Sequence, residues 1–207
     1  MFWMKLMLAL MMAALPGLAA DALNVFGKSW SVPNAADWKI TGANGAQVLQ
    51  LATHRGPLPG PRRPIQFALL DLPAYKSLTV EADVKPLALS LMMVFAYRDE
   101  AHFDYAHLSV DTGTKQPVHN GIFHVYGGER VRISSEQGPP AFAATGRWYH
   151  VKLTHDDGTG SVQVTVDGKP VPALEAVDRS LGAGRTGLGS FDETAEFKNV
   201  VIRTVPR

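Results

Sequence analysis

The sequence predicts an all-β sandwich of two antiparallel sheets. Apolar and polar residues alternate in one segment after another of the C-terminal third, as in "WYHVKLTH" and "SVQVTVD", which is the period of a strand with one buried face. Turn residues such as Asp167-Gly168 separate these segments, and short strands at this spacing are typical of sandwiches and barrels. Helical periodicity is lacking, although "PALEAVDRSLGAG" has room for a single helical turn.

Residues 1–20 have the layout of a secretory signal peptide. Lys5 gives a positive start, residues 6–15 are an uninterrupted apolar run, and small residues end the segment at Ala19 and Ala20. The apolar run is shorter than the roughly 20 residues that cross a bilayer. We therefore expect cleavage after Ala19 or Ala20, a secreted or periplasmic protein without a membrane partner, and one domain over residues 21–207.

The charge and cysteine content of the chain limit which kinds of binding partner and anchor are expected. The 207-residue chain has 20 basic and 19 acidic residues and no cysteine. Lys5 is the one charged residue of the signal segment, so the remaining chain is electrically balanced. No basic cluster is present to follow a phosphate backbone, which disfavours nucleic acid. An exported chain without cysteine has to fold without disulfides and cannot be anchored through a lipidated cysteine.

The strands before the C-terminal third follow in order. "WKITG" and "AQVLQLA" flank a turn at residues 43–45, and residues 54–64, "HRGPLPGPRRP", are too rich in proline and glycine for regular structure. We interpret that stretch as an ordered surface loop or a flap over a groove. "SLTVEADVK" alternates cleanly, whereas "LSLMMVFAYR" is apolar on both sides, as in a central strand that is covered on both faces. The strands "FDYAHLSV", "GIFHVYG" and "ERVRISS" come next, and "TGLGSF" and "EFKNVVIRT" close the chain.

Several of these segments resemble the concanavalin A-like (laminin G-like) jelly rolls, near the 3-keto-disaccharide hydrolase-like domains. The segments are "ADWKI", with an exposed tryptophan, "SLTVEADVKP" leading into "FAYRDEAHFDYAHLS", "GRWYHVKLTHDDGTGSVQVTVDGKPV" and "GLGSFDETAEFKNVVIR". The resemblance implies a two-sheet jelly roll that holds carbohydrate, a polysaccharide or an oligosaccharide, across a concave sheet face. Lectin-like modules, hydrolases and lyases share this fold, so function has to be argued from the site.

Strand parity predicts which side chains meet the sugar, because successive side chains point to opposite faces. In "FDYAHLSV", Ala106 and Leu108 should enter the core, and Phe103 should share the opposite face with the polar residues. In "GIFHVYG" we expect Phe123 and Val125 in the core. With Arg98 added, the predicted substrate-binding residues are Arg98, Tyr105, His107, His124, Tyr126 and Arg132. Aromatic rings stack on sugar rings, and imidazole and guanidinium groups bind hydroxyls or carboxylates. The alternative is an ordinary solvated sheet face.

The sequence leaves catalysis open. Retaining hydrolysis by a laminarinase-type enzyme needs two carboxylates about 5 Å apart, and the corresponding Glu-x-Asp-x-x-Glu pattern is missing. A uronate lyase could use His107 or His124 as base, a tyrosine as acid and Arg132 to neutralise the substrate, although the usual lyase motifs are missing too. A domain that binds a partner or serves a structural role, without catalysis, is the third reading.

No metal site is assigned from the sequence. Arg98-Asp99-Glu100, with His102 and Asp104 nearby, is either a solvated turn or a set of metal ligands or acid–base groups. Asp192-Glu193 is an oxygen-rich turn of the kind that holds structural calcium, but it falls far short of a calcium-loop motif, and an ordinary turn is the alternative.

Overall fold

The computed structural model describes residues 21–43, 45–56 and 59–207. Its strands are β1 (Asp21–Val25), β2 (Lys28–Val32), β3 (Trp38–Thr41), β4 (Val48–Leu51), β5 (Gln66–Leu70), β6 (Tyr75–Pro86), β7 (Ser90–Asp99), β8 (His102–Ser109), β9 (Gly121–Tyr126), β10 (Glu129–Arg132), β11 (Tyr149–Asp156), β12 (Ser161–Val166), β13 (Lys169–Val177), β14 (Arg185–Ser190) and β15 (Ala195–Pro206). Helical structure in this part of the chain is limited to 3-10 turns at Ala35–Asp37 and Gly113–Lys115 and one α-helical turn, α1 (Gln116–His119).

The strands form two antiparallel sheets. The eight-stranded sheet has the order β1-β2-β5-β14-β7-β8-β9-β10, and the seven-stranded sheet has the order β13-β12-β11-β6-β15-β4-β3. The predicted all-β sandwich is therefore confirmed. The signal peptide predicted for residues 1–20 lies outside the described residues and stays a prediction. Within the described ranges, no helix is long and apolar enough to cross a membrane.

The main core lies between the two sheets. Alternate residues of β6, β8 and β11 enter it, among them Val80, Leu108 and Val151, each exposed by 2% or less. These are the residues that parity predicts to be buried. In β6 and β11 one face is apolar and the other polar. Regular alternation was thus a sufficient guide wherever a sheet has one wet face.

The eight-stranded sheet is apolar on its outer face as well, the face turned away from the other sheet. We call this second cluster the outer aromatic layer; it consists of Phe67, Leu69, Met92, Val94, Tyr97, Phe103, Tyr105, Phe123, Val125 and Phe191. Every member is at most 9% exposed. Burial on both sides of β7 is what its continuous apolar sequence predicted.

A β-bulge in β7 decides which side chains reach the outer aromatic layer. Ala96 has a φ of 50°, and the pairing of β7 with β8 shifts between Phe95 and Asp99. Phe95 and Ala96 consequently both belong to the main core, and Tyr97 belongs to the outer aromatic layer. Without the extra residue, Tyr97 would share the inward face with Phe95, because parity is strict in an unbroken strand.

The structure corrects three expectations. Phe123 and Val125 belong to the outer aromatic layer, and Ile122 enters the main core instead, so the predicted parity of β9 was wrong. Trp38, expected to be exposed, is only 6% exposed. The segment in which a helical turn was allowed begins as strand β13, and the short α-helix lies at Gln116–His119.

Candidate functional site

A cavity of about 390 Å³ opens on the outer face of the eight-stranded sheet. Four side chains of the outer aromatic layer line it: Phe67, Leu69, Tyr97 and Phe103. The polar lining comes from Asn34, Arg55 and Glu100, and Pro33, Pro64 and Ile65 complete the wall. A mostly apolar hollow with a few polar groups at its rim is the usual composition of a small-molecule site.

The aromatic rings of the cavity support one another. The ring centroids of Phe67 and Phe103 are 5.5 Å apart in an edge-to-face arrangement, and those of Tyr97 and Phe103 are 5.4 Å apart. Such contacts stabilise aromatic pairs by about 0.5–1.5 kcal/mol beyond their buried area. The rings therefore form a preorganised apolar surface, on which the C–H face of a ligand could lie without rearrangement.

The proline-rich stretch forms one wall of the cavity, and buried polar contacts fix its start. Arg55 binds the buried Asp37 through two hydrogen bonds, of 2.6 and 2.8 Å. Gln66 accepts a 2.7 Å hydrogen bond from the backbone N–H of Arg55 and donates one of 3.0 Å to the carbonyl of Thr53. This arrangement favours the ordered-loop interpretation over a free flap for the described part of that stretch.

Beyond the cavity, arginine side chains cover the outer aromatic layer. The guanidinium of Arg130 lies 4.8 Å from the ring centre of Phe191 and 5.3 Å from that of Phe123. Arg62 lies 5.0 Å from the ring of Phe191 and forms a salt bridge with Asp192. Cation–π contacts of this kind are favourable. The layer is thus accessible at the cavity and covered elsewhere.

Two of the predicted sugar-binding residues, Tyr105 and His107, lie on the outer face as parity predicts, but beneath this cover. They are 0% and 2% exposed. The hydroxyl of Tyr105 accepts a 3.3 Å hydrogen bond from Arg130, and burial raises its pKa to about 12. His107 shares a 2.9 Å hydrogen bond with the hydroxyl of Ser90.

Arg132 also lies on the outer face, and Arg98 does not reach the cavity lining. The Arg132 guanidinium donates to the backbone carbonyls of Pro117, at 2.6 Å, and Ser134, at 3.1 Å, and also to that of Ser135. It therefore fastens the segment around α1 to the sheet. Arg98 donates a 2.9 Å hydrogen bond to the carbonyl of Leu181.

His124 and Tyr126 lie on the opposite face of the sheet from Tyr105, His107 and Arg132, so the predicted common face is wrong for these two residues. Cross-strand pairing places Arg132 opposite Phe123, and Val131 opposite His124. Adjacent residues of β9 point to opposite sides, which separates His124 from the outer aromatic layer.

His124 meets two carboxylates on its side of the sheet. Its Nδ1 lies 2.7 Å from an oxygen of Asp104 and 2.8 Å from an oxygen of Asp178. Burial raises the pKa of Asp104 to about 6, and the hydrogen bond to Asp104 raises the pKa of His124. Asp104 was noted in the sequence beside His102, but His102 pairs instead with Asp99, at 2.9 Å.

In the Asp192-Glu193 turn, both carboxylates bind groups of the protein itself. Asp192 forms its salt bridge with Arg62 at 3.1 Å, and Glu193 accepts a hydrogen bond from the backbone N–H of Ser90. Burial raises the pKa of Glu193. The turn therefore fixes the start of β7 against the end of β14.

The buried His107 should make stability depend on pH. Burial, with the nearby charges of His119 and Arg130, lowers its pKa well below the ordinary value of 6.5. Below pH 6.5 the unfolded chain binds a proton that the folded chain excludes, so the contribution of His107 to stability falls as pH decreases. The slope approaches about 1.4 kcal/mol per pH unit for one such group.

Urea denaturation of the wild type and of His107→Asn between pH 7.5 and 4.5 checks this. The stability advantage of the wild type over the variant should shrink with decreasing pH, because other groups, including the buried His155 whose pKa is also lowered by burial, are present in both proteins. Parallel pH profiles of the two proteins would contradict the expectation.

Sequence reasoning missed most of the cavity. Phe103 was placed correctly on the outer face, but Phe67 and Tyr97 were not selected, and neither were the rim residues Asn34 and Glu100. One sequence feature did point to the cavity. The segment "LSLMMVFAYR" is apolar on both sides, which implies that the outer face of this strand is also shielded from water. An aromatic residue in a strand covered on both faces was therefore a better candidate than a polar one.

Known structures share this fold. Carbohydrate binding module CBM66 from Bacillus subtilis superposes with a TM-score of 0.56 at 19% identity, over 84% of this chain and 95% of that one. A Parabacteroides distasonis protein named "Putative glycosyl hydrolase" superposes with a TM-score of 0.53 at 15% identity, over 83% of this chain and 92% of that one. No protein-family model and no curated protein matches the sequence. The chain thus has the predicted two-sheet jelly-roll fold.

Proposed function

We propose that this protein binds carbohydrate in the cavity on the outer face of the eight-stranded sheet. The observation that carries the proposal is the combination of a preorganised aromatic surface, formed by Phe67, Tyr97 and Phe103, with polar groups at the rim. Sugars present an apolar C–H face and a periphery of hydroxyls. Aromatic rings suit the first, and amide, guanidinium and carboxylate groups suit the second. The shared fold with a carbohydrate-binding module supports this reading.

The dimensions of the cavity favour a short ligand. Its volume of about 390 Å³ is near the lower end of the 300–1,000 Å³ range of small-molecule sites. Arg130, Arg62 and Phe191 cover the neighbouring part of the outer face, which limits the length of aromatic surface open to a ligand. We therefore propose that the ligand is the end of a glycan chain or a short oligosaccharide.

In the part of the chain that the structure describes, the cavity does not bring together the catalytic groups that either a lyase or a retaining hydrolase would need. The lyase hypothesis took His107 or His124 as the base on the face that carries Arg132. His124 lies on the opposite face, and His107 is only 2% exposed. For hydrolysis with retention, two carboxylates about 5 Å apart are needed, and Glu100 is the one carboxylate among the described residues of the lining. We accordingly propose binding and assign no catalytic residue.

Replacing Tyr97 with alanine should weaken glycan binding at least about tenfold, because truncating an aromatic hot spot at the centre of a binding site costs about 2 kcal/mol or more. Tyr126→Ala is the matched control, since Tyr126 is an exposed tyrosine (62%) outside the cavity. A glycan array would identify a ligand, and isothermal titration would then compare the three proteins.

Equal binding by wild type and Tyr97→Ala, or a loss confined to Tyr126→Ala, would refute the cavity as the binding site. Because Tyr97 is mostly buried, the thermal midpoint of each variant has to be measured alongside. Glu100→Ala provides a variant that leaves the aromatic packing intact, since the Glu100 side chain is 82% exposed; we expect it to weaken binding severalfold.

A further inference from the structure

Asp104, His124 and Asp178 bring three ligand atoms together from three separate elements. Asp104 is on β8, His124 is on β9, and Asp178 directly follows β13 of the opposite sheet. One ligand atom from each side chain lies within 4.8 Å of the other two. One imidazole nitrogen and two carboxylate oxygens are ligands that a divalent metal ion of the zinc class accepts.

The charges in this cluster do not balance. Asp104 and Asp178 contribute two negative charges, and their side chains are only 2% and 16% exposed. Among the described residues, His124 is the one cationic group within ion-pair distance of either. A protonated His124 leaves a net charge of −1 and a neutral one leaves −2, which is unfavourable for carboxylates that are mostly buried. A bound divalent cation would remove this excess.

The hydrogen-bonding capacity of His124 is also insufficient. A single Nδ1–H faces both carboxylates, at 2.7 and 2.8 Å, and one donor cannot point at both with good geometry. A metal ion replacing that proton would engage all three atoms at once. Tetrahedral coordination with bonds of about 2.0–2.2 Å separates ligand atoms by roughly 3.3 Å, so the side chains would need to part by about half an ångström.

Neighbouring groups hold the ligands in orientation, as outer contacts do in metal sites. The backbone N–H of Ser180 donates to Asp178 at 2.8 Å, and its hydroxyl donates to the same carboxylate at 2.9 Å. The ring of Tyr126 stacks on that of His124, with centroids 5.8 Å apart and planes inclined by 21°. Tyr126 is exposed, which places the cluster close to solvent.

We propose that Asp104, His124 and Asp178 form a binding site for one divalent metal ion that prefers Zn²⁺ to Ca²⁺. The imidazole ligand underlies this preference, because Ca²⁺ takes six to eight oxygen ligands. The ion would join the two sheets at this point, since Asp178 directly follows β13 of the seven-stranded sheet and the other two ligands belong to the eight-stranded sheet. Three protein ligands leave a coordination position for water or a ligand.

The test is metal titration of the chelator-treated protein. The wild type should bind one equivalent of Zn²⁺ per chain, more tightly than Ca²⁺, and its thermal midpoint should rise on binding. Asp178→Asn and His124→Gln should each weaken Zn²⁺ binding more than about tenfold. Asp99→Asn is the matched control: it alters the other aspartate–histidine pair of this region, Asp99 with His102, and should bind Zn²⁺ like the wild type.

The proposal would be overturned by failure of the wild type to bind one equivalent of Zn²⁺, by tighter binding of Ca²⁺, or by equal affinity in Asp178→Asn and Asp99→Asn. Asp178 follows a strand and is partly accessible, so its variant is the safer one for folding; circular dichroism of both variants separates lost binding from lost structure. Asp178 does not line the cavity, so glycan binding by Asp178→Asn should match the wild type, and the two proposals can fail separately.

Discussion

Replacing Phe95 with alanine should lower the free energy of unfolding by about 3–5 kcal/mol. Phe95 is 1% exposed in the main core between the sheets, and its ring centre lies 5.2 Å from that of the buried His155. Truncation removes the transfer free energy of the ring and leaves a cavity. The rigid β-sheet backbone on both sides can close that cavity only in part.

Urea denaturation at constant pH measures this effect. Val177→Ala is the surface control, because Val177 is 69% exposed, and such changes usually stay within about 0.5 kcal/mol. A loss below about 1 kcal/mol in Phe95→Ala would mean that Phe95 does not fill the space between the sheets. An unchanged slope of free energy against urea would confirm that the denatured state is comparable in both proteins.

Sequence patterns predicted this fold wherever a strand has one wet face. In β6 and β11 the alternation of apolar and polar residues assigned Val80 and Val151 correctly to the core. The seven-stranded sheet is solvated on its outer side, where the exposed His150 and the half-buried Lys152 alternate with buried residues. Water contact on one side is what makes the period visible.

The same reasoning failed in β9 for a physical reason. Ile122, Phe123 and Val125 are all apolar and all at most 4% exposed, because the eight-stranded sheet is buried on both faces at this point. Hydrophobicity then carries no information about which face is which, and only the register with β8 decides. Because the predicted parity of β9 was wrong, His124 was also assigned to the wrong face of the sheet.

Two other features of the candidate sites depend on contacts that are distant in the sequence. The bulge at Ala96 turns the side chain of Tyr97 outward. Ala96 has a left-handed backbone conformation, which no local sequence pattern predicts. Asp178 joins Asp104 and His124 only because the end of β13 packs near β9 across the sandwich. Fold class was therefore predictable from local patterns, whereas the grouping of side chains needed the tertiary structure.

Gly189→Ala should destabilise the protein by about 3 kcal/mol, the upper end of the range for overpacking. Gly189 is on β14, between β5 and β7 in the middle of the eight-stranded sheet. An added Cβ would overlap the backbone oxygen of Gln66 and approach the Cα of Phe67 to 3.0 Å. These are backbone atoms, so no side-chain rotation relieves the clash, and β5 itself has to move.

The consequence should extend to the cavity, because the strand that is displaced carries Phe67 and Leu69. We expect Gly189→Ala to lower both the thermal midpoint and the affinity for the glycan that the array identifies. Gly56→Ala is the matched control: a Cβ there meets no atom of the described residues within 4 Å, and the smaller entropy of the unfolded chain should leave stability unchanged or raised by up to about 1 kcal/mol. Equal midpoints for the two alanine variants would show that β5 and β14 are not packed as closely as described.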